Sequence, residues 1–163
     1  MKNIILAISL TLFSTVAFSQ NNVSELIQKY KGQKDVSIVT ISGNILRFGS
    51  EFLEVDDKES KAAKDILEEV DELIILNTQT VSKSNKIRKF ANRLVNSGKY
   101  EEMTVIDSDG DETTFYGKVK NQVITELFVI VGDNKNETTL ISITGKIDPD
   151  SVDILLEKTR RVY

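Results

Sequence analysis

Residues 106–112, IDSDGDE, hold the densest group of oxygen ligands in the chain, with Asp107, Asp109, Asp111 and Glu112 gathered around Gly110. Alternating carboxylates beside a glycine are what a calcium loop uses, because the ion takes several oxygen ligands and the chain must turn sharply around it. An EF-hand loop places acids at its first, third and fifth positions, glycine at the sixth and glutamate at the twelfth. Counted from Asp107 the three acids fit, but glycine falls at the fourth position and Lys118 at the twelfth. Strand-like runs flank the segment where an EF-hand has helices. The expected structure is therefore a hairpin, in which Asp109-Gly110 supplies the positive φ of a two-residue turn and the acids keep its tip soluble.

The rest of the composition narrows the chemistry further. The chain has no histidine and no cysteine, so Ser-His-Asp and Cys-His nucleophiles are excluded, as are the usual zinc, copper and haem sites. Carboxylate pairs remain, as Glu101 with Glu102 and Asp56 with Asp57. Neighbours in a strand point to opposite faces, so such a pair reads as solvated surface. Lys83 beside Ser82 or Ser84 could be a Ser-Lys dyad, but both serines lie at a helix start, where a hydroxyl caps orphan N–H groups. No catalytic residue, cofactor or metal ligand is assigned.

One further cluster is electrostatic. Lys83, Lys86, Arg88, Lys89 and Arg93 make the most regular helix of the chain basic on its exposed side, although the protein is acidic overall. These five form the candidate partner-binding face, suited to an acidic partner or to anionic headgroups; a helix face that merely meets water is the plain alternative. Phe90 lies among them, but its spacing assigns it to the core. Without interleaved aromatics, and with a negative net charge, nucleic acid is not an expected partner.

The elements that must position these residues begin after a leader. Met1-Lys2-Asn3 is a short positive start, Ile4 to Val16 is apolar apart from Ser and Thr, and Ala17-Phe18-Ser19 has the small-residue spacing of a signal-peptidase site before Gln20. Residues 1–19 are expected to be a signal peptide, too short for a membrane span of about 20 apolar residues. Residues 20–163 are expected to form one exported domain of the periplasm or cell envelope. Without a cysteine to lipidate, that domain should be soluble, and no disulfide can hold it. Losing Lys2 leaves 20 basic against 25 acidic residues, a balance that favours solubility over nonspecific adhesion. Asn22-Val23-Ser24 and Asn136-Glu137-Thr138 fit a glycosylation sequon, which matters only in a glycosylating host.

Within the domain, Val23, Leu26, Ile27 and Tyr30 keep helical spacing up to Lys31-Gly32, and VSIVTIS (36–42) is strand-like. A short helix interrupted at Gly49 is expected through Ile45, Leu46, Phe48, Phe52 and Leu53. Asp56 or Asp57 then caps a helix whose face carries Ala62, Ala63, Ile66, Leu67 and Val70. ELIILNT (72–78) reads as a strand buried on both faces. The next helix runs from about Lys83 to Ser97, with Ser82 or Ser84 as cap, Ile87, Phe90, Ala91, Leu94 and Val95 inward, and Gly98 as its end. The period then changes to two in four runs, 100–107, 112–120, 123–132 and 137–147. Their turns lie at Asp109-Gly110, Asn121-Gln122 and 132–136. Val129, Ile130 and Val131 break the alternation, so the third of these strands is expected to be central. Asp148-Pro149 opens a last helix to about Lys158, with Ile147 and Val152 as a hydrophobic staple.

The predicted class is α+β: a mixed, mostly antiparallel sheet of about six strands, ending in a four-stranded meander, with helices mainly on one face.

Tyr100-Glu101-Glu102-Met103, Phe115-Tyr116-Gly117-Lys118, Glu126-Leu127 and Leu140 to Ile147 resemble the strand pattern of domain of unknown function family 4252, small exported proteins of Bacteroidetes. The resemblance covers nearly all of the expected mature chain. It implies a periplasmic or envelope protein, often a lipoprotein; this chain departs in lacking the lipobox cysteine. It implies no catalytic residue. The expected function is a non-enzymatic binding module for a protein partner in the envelope, working through a sheet edge or the basic helix. The other reading is an oxygen-chemistry or metal-assisted enzyme, or a small-ligand binder, using carboxylates.

Overall fold

In the computed structural model the described residues are 22–108, 111–133 and 137–162. The leader expected at 1–19, the Asp109-Gly110 turn, part of the 132–136 turn and Asn136 of the second sequon lie outside them.

The helix starting at Val23 forms as α1 (Val23–Tyr30), capped by the Asn22 side chain, which accepts from the Glu25 N–H at 2.8 Å. It leads into β1 (Val36–Ser42) and then α2 (Gly43–Ser50). Gly49 does not interrupt α2; it lies within the last turn, where a weak helix former is tolerated. Phe52 and Leu53 follow in the turn beyond. Next comes α3 (Lys58–Glu69), with Asp57 as its cap: the Ser60 N–H donates to Asp57 Oδ1 at 2.7 Å, and Ser60 Oγ accepts from the Asp57 N–H at 3.1 Å. Val70 leaves the helix to begin β2 (Val70–Thr78).

The helix expected from about Lys83 is α4 (Val81–Asn96), and neither serine caps it. The helix begins on the backbone of Thr80, whose carbonyl accepts from Lys83 and Ser84 N–H groups at 2.9 Å each. Ser84 is thereby carried inside the helix and buried. Gly98, at φ 71°, ends it as expected. The meander follows as β3 (Glu101–Ser108), β4 (Asp111–Lys120), β5 (Val123–Asp133) and β6 (Thr138–Ile147). Asn121 and Gln122 take positive φ in the β4–β5 turn. The last helix is α5 (Pro149–Val162).

The six strands form one sheet in the order β1-β2-β6-β5-β4-β3. Every pair is antiparallel, so the sheet contains none of the parallel pairing a mixed sheet would need. β5 lies inside it, as the broken alternation at 129–131 implied. β2 is interior too, though several of its side chains are only half-buried and Asp71 and Glu72 are exposed.

The helices occupy both faces of the sheet, which corrects the expectation of one covered face. Ile38, Leu76, Leu140 and Ile130 are register partners across four strands and pack with Leu26 and Ile27 of α1 and Phe90 and Leu94 of α4. On the opposite face Leu127 and its register partner Ile143 pack with Ile66 of α3 and Val152 and Leu156 of α5. The reason is visible in β5, where Leu127, Phe128, Val129 and Ile130 are all buried. Successive strand residues face opposite ways, so four buried in a row require cover on both sides. Ile147 and Val152 meet in the second core, fulfilling the expected staple.

Candidate functional site

The sheet has two edges of different chemistry. β3, EEMTVIDS, carries Glu101, Glu102 and Asp107 and a register shift between Glu102 and Thr104. Charges and a bulge are the usual devices that discourage another strand from pairing. β1, VSIVTIS, has no charge, no proline and an unbroken register with β2 from Val36↔Thr78 to Ser42↔Glu72. In an antiparallel pair, alternate residues turn N–H and C=O away from the partner, so an edge strand offers a row of main-chain donors and acceptors. Val39, in the middle of β1, is 48% exposed.

α2 follows β1 without a linker and is held tightly in place. A Cβ on Gly43 would lie 2.1 Å from the Val70 carbonyl oxygen, so only glycine lets the helix start so close to β2. The Arg47 guanidinium donates to the carbonyls of Val70 at 3.1 Å and Glu68 at 3.4 Å, and to Asn44 Oδ1 at 2.8 Å. Leu46 packs into the second core, while Ile45, Phe48 and Phe52 point to solvent, the two rings 71% and 63% exposed for Phe52 and Phe48. These rings stack edge to face with centroids 5.1 Å apart. A stripe of large apolar side chains displayed on a clamped helix beside an open edge strand is the kind of surface that marks an interaction site. A polar cleft of about 480 Å³ at the other end of β1 is lined by Asp35, Ser37, Asn77 and Gln79 among others.

The five basic residues of α4 divide into two groups. Lys83 donates through Nζ to the Lys34 carbonyl, and the half-buried Arg88 donates to Glu112 Oε1 at 3.3 Å and the Gly132 carbonyl at 2.9 Å. These two fasten α4 to its surroundings. Lys86, Lys89 and Arg93 are exposed and share one stripe of the helix.

On either side of Asp109-Gly110, β3 and β4 pair as the arms of the expected hairpin, with Asp107 opposite Glu112 and Ser108 opposite Asp111. The carboxylates of Asp111 and Glu112 diverge, since Glu112 turns to Arg88 while Asp111, its chain neighbour, faces the other way. Among the described residues no group of three or more carboxylates is placed to hold a metal ion.

A polar cluster that sequence reasoning did not single out joins the residue just before β3 to β4 and β5. The Tyr100 hydroxyl donates to Glu126 Oε2, Lys118 Nζ lies 2.5 Å from Glu126 Oε1, and the ammonium lies 5.8 Å from the centre of the Tyr100 ring. Tyr100 is almost fully buried, and burial, then the Glu126 hydrogen bond, push its phenol well above the ordinary tyrosine range. With both carboxylate oxygens engaged, the cluster is built to hold strands together. All three residues belong to the strand pattern quoted for the family resemblance, but their separation in the chain hides their contact.

Residues 30–155 match the model of the family described as Domain of unknown function (DUF4252). No curated protein and no solved structure matches the chain.

Proposed function

The chain belongs to the DUF4252 family, and from that premise we propose that it is an exported, non-enzymatic envelope protein that takes an extended segment of a protein partner at the free edge of β1. The single observation that carries this reading is the uncharged, unbulged β1 edge beside the exposed Ile45–Phe48–Phe52 stripe. An added strand would satisfy the outward main-chain groups of β1, and alternate side chains of the visitor would meet Val39 on one face. Main-chain hydrogen bonds contribute only about 0.5–1.5 kcal/mol each after desolvation. Burying a phenylalanine adds about 1.5–3 kcal/mol, so the α2 stripe would supply much of the affinity and the edge the orientation. The leader pattern of residues 1–19 supports export. The missing histidine and cysteine support a role without catalysis.

The test uses mature protein purified from the envelope, whose intact mass should begin at Gln20. A captured partner should protect the amides of 36–42 from hydrogen exchange. The double variant V39K/T40K, which places charges on two exposed positions of the edge, should lose that partner while melting as the wild type does. Undiminished capture by this variant would rule out the edge.

A further inference from the structure

The α1–α4 layer carries a charge opposite to that of the whole protein. Within residues 23–35 and 81–99 the acidic residues are Glu25 and Asp35, and Glu25 is half-buried against Asn22. Against them stand the exposed Lys29, Lys31 and Lys34 of α1 and the turn after it, and the exposed Lys86, Lys89 and Arg93 of α4. The two helices cover the same face of the sheet, sharing a core through Leu26, Ile27, Ile87 and Phe90. They are also tied at one end, where Lys83 Nζ reaches the Lys34 carbonyl as α1 finishes and α4 starts. At the other end Val23, where α1 starts, shares their core with Tyr100, where the chain has just left α4. The helices therefore run antiparallel, each with its own row of outward charges.

We propose that this layer docks on a membrane surface, with Lys29, Lys31, Lys34, Lys86, Lys89 and Arg93 meeting anionic phospholipid headgroups. Two rows of cations match a surface charged in two dimensions, whereas a single acidic strand would engage one row. Val81 is the large apolar side chain exposed on this layer, at the start of α4, so attachment is electrostatic and shallow, without an inserted apolar face. It is independent of β1. The same molecule can hold a partner at its sheet edge while its α1–α4 face rests on a bilayer.

Sedimentation of the mature chain with vesicles tests this. Binding is expected to phosphatidylglycerol-rich vesicles at low salt, to be absent with pure phosphatidylcholine, and to fall steeply towards physiological ionic strength, where the Debye length is about 8 Å. Each charged side chain near an anionic surface adds a roughly equal increment. On that basis K86E/K89E/R93E, and separately K29E/K31E/K34E, should each weaken vesicle binding at least about tenfold; the glutamine triples serve if a charge reversal fails to fold. The variant V39K/T40K, which adds cations and removes none, should bind anionic vesicles at least as well as the wild type, so failure of the edge reading and failure of the membrane reading are distinguishable. Equal binding to neutral vesicles, or undiminished binding by both triple variants, would overturn the proposal. Retention on immobilised polyglutamate without vesicle binding would overturn it in favour of an acidic protein partner.

Discussion

Tyr100 shows what burial does to a single polar side chain here. Its ring packs edge to face on Phe128, which stacks on Tyr116, while its hydroxyl reaches the Glu126 carboxylate. Burial, mainly, raises the phenols of Tyr30, Tyr100 and Tyr116. The sign follows from linkage: above about pH 10 an unfolded tyrosine loses its proton while the folded one keeps it. Stability contributed by the neutral phenols is thus complete below pH 10 and declines as pH rises further. Chemical denaturation between pH 8 and pH 11 should show this decline, and Tyr100→Phe should make it shallower. At neutral pH the same substitution should cost about 1–2 kcal/mol, because one oxygen of a charged acceptor loses its donor but keeps access to water. None of this was legible in the sequence. Lys118 and Glu126 are ordinary strand residues, and Tyr100 an ordinary residue before a strand, until the meander sets them side by side.

At the scale of elements, local spacing was a good guide and capping a mixed one. Asp57 caps α3 as its sequence position suggested, and its side chain and Ser60 satisfy each other's backbone N–H groups. Asp57→Ala should therefore lower stability by about 1 kcal/mol, readable as a shift in the urea midpoint at unchanged slope. For α4, two serines were plausible caps and neither serves. The backbone starts the helix at Val81, because Ser84 then falls on the inward side with Ile87 and Phe90. Tertiary packing chose among local options of similar worth. The basic stripe on α4 divided in the same way: sequence spacing grouped five charges, and packing withdrew Lys83 and Arg88 for structural contacts.

At the scale of the molecule, a single sheet serves two cores. Phe128 faces the α1–α4 side and Leu127 the α3–α5 side, one residue apart on β5. The two cores cannot come apart without breaking the strands they share, so unfolding should be one cooperative transition. Phe128→Ala should cost about 3–5 kcal/mol and should lower the melting of both helical layers together. Near- and far-ultraviolet dichroism that separated into two transitions would contradict a shared core. Across this body the charge is also divided, with the basic α1–α4 surface on one side of the sheet and the acid-rich α2–α3 segment on the other.

The sequence by itself determined the elements and the chemistry that is missing. Period 3.6 and period 2 are written in neighbouring residues, and the lack of histidine and cysteine holds in any fold. Burial of four successive residues in β5 was half-legible, since the run read as a central strand but not as one covered on both faces. Strand order was decided only in three dimensions, because β2 pairs with β6 from sixty or more residues away in the chain and no local period records a long-range partner. That pairing is what leaves β1 at the edge, with α2 beside it and Phe48 and Phe52 in solvent. The surface proposed to bind a partner follows from where the chain closes its sheet, a consequence of packing the whole domain and not of any motif within it.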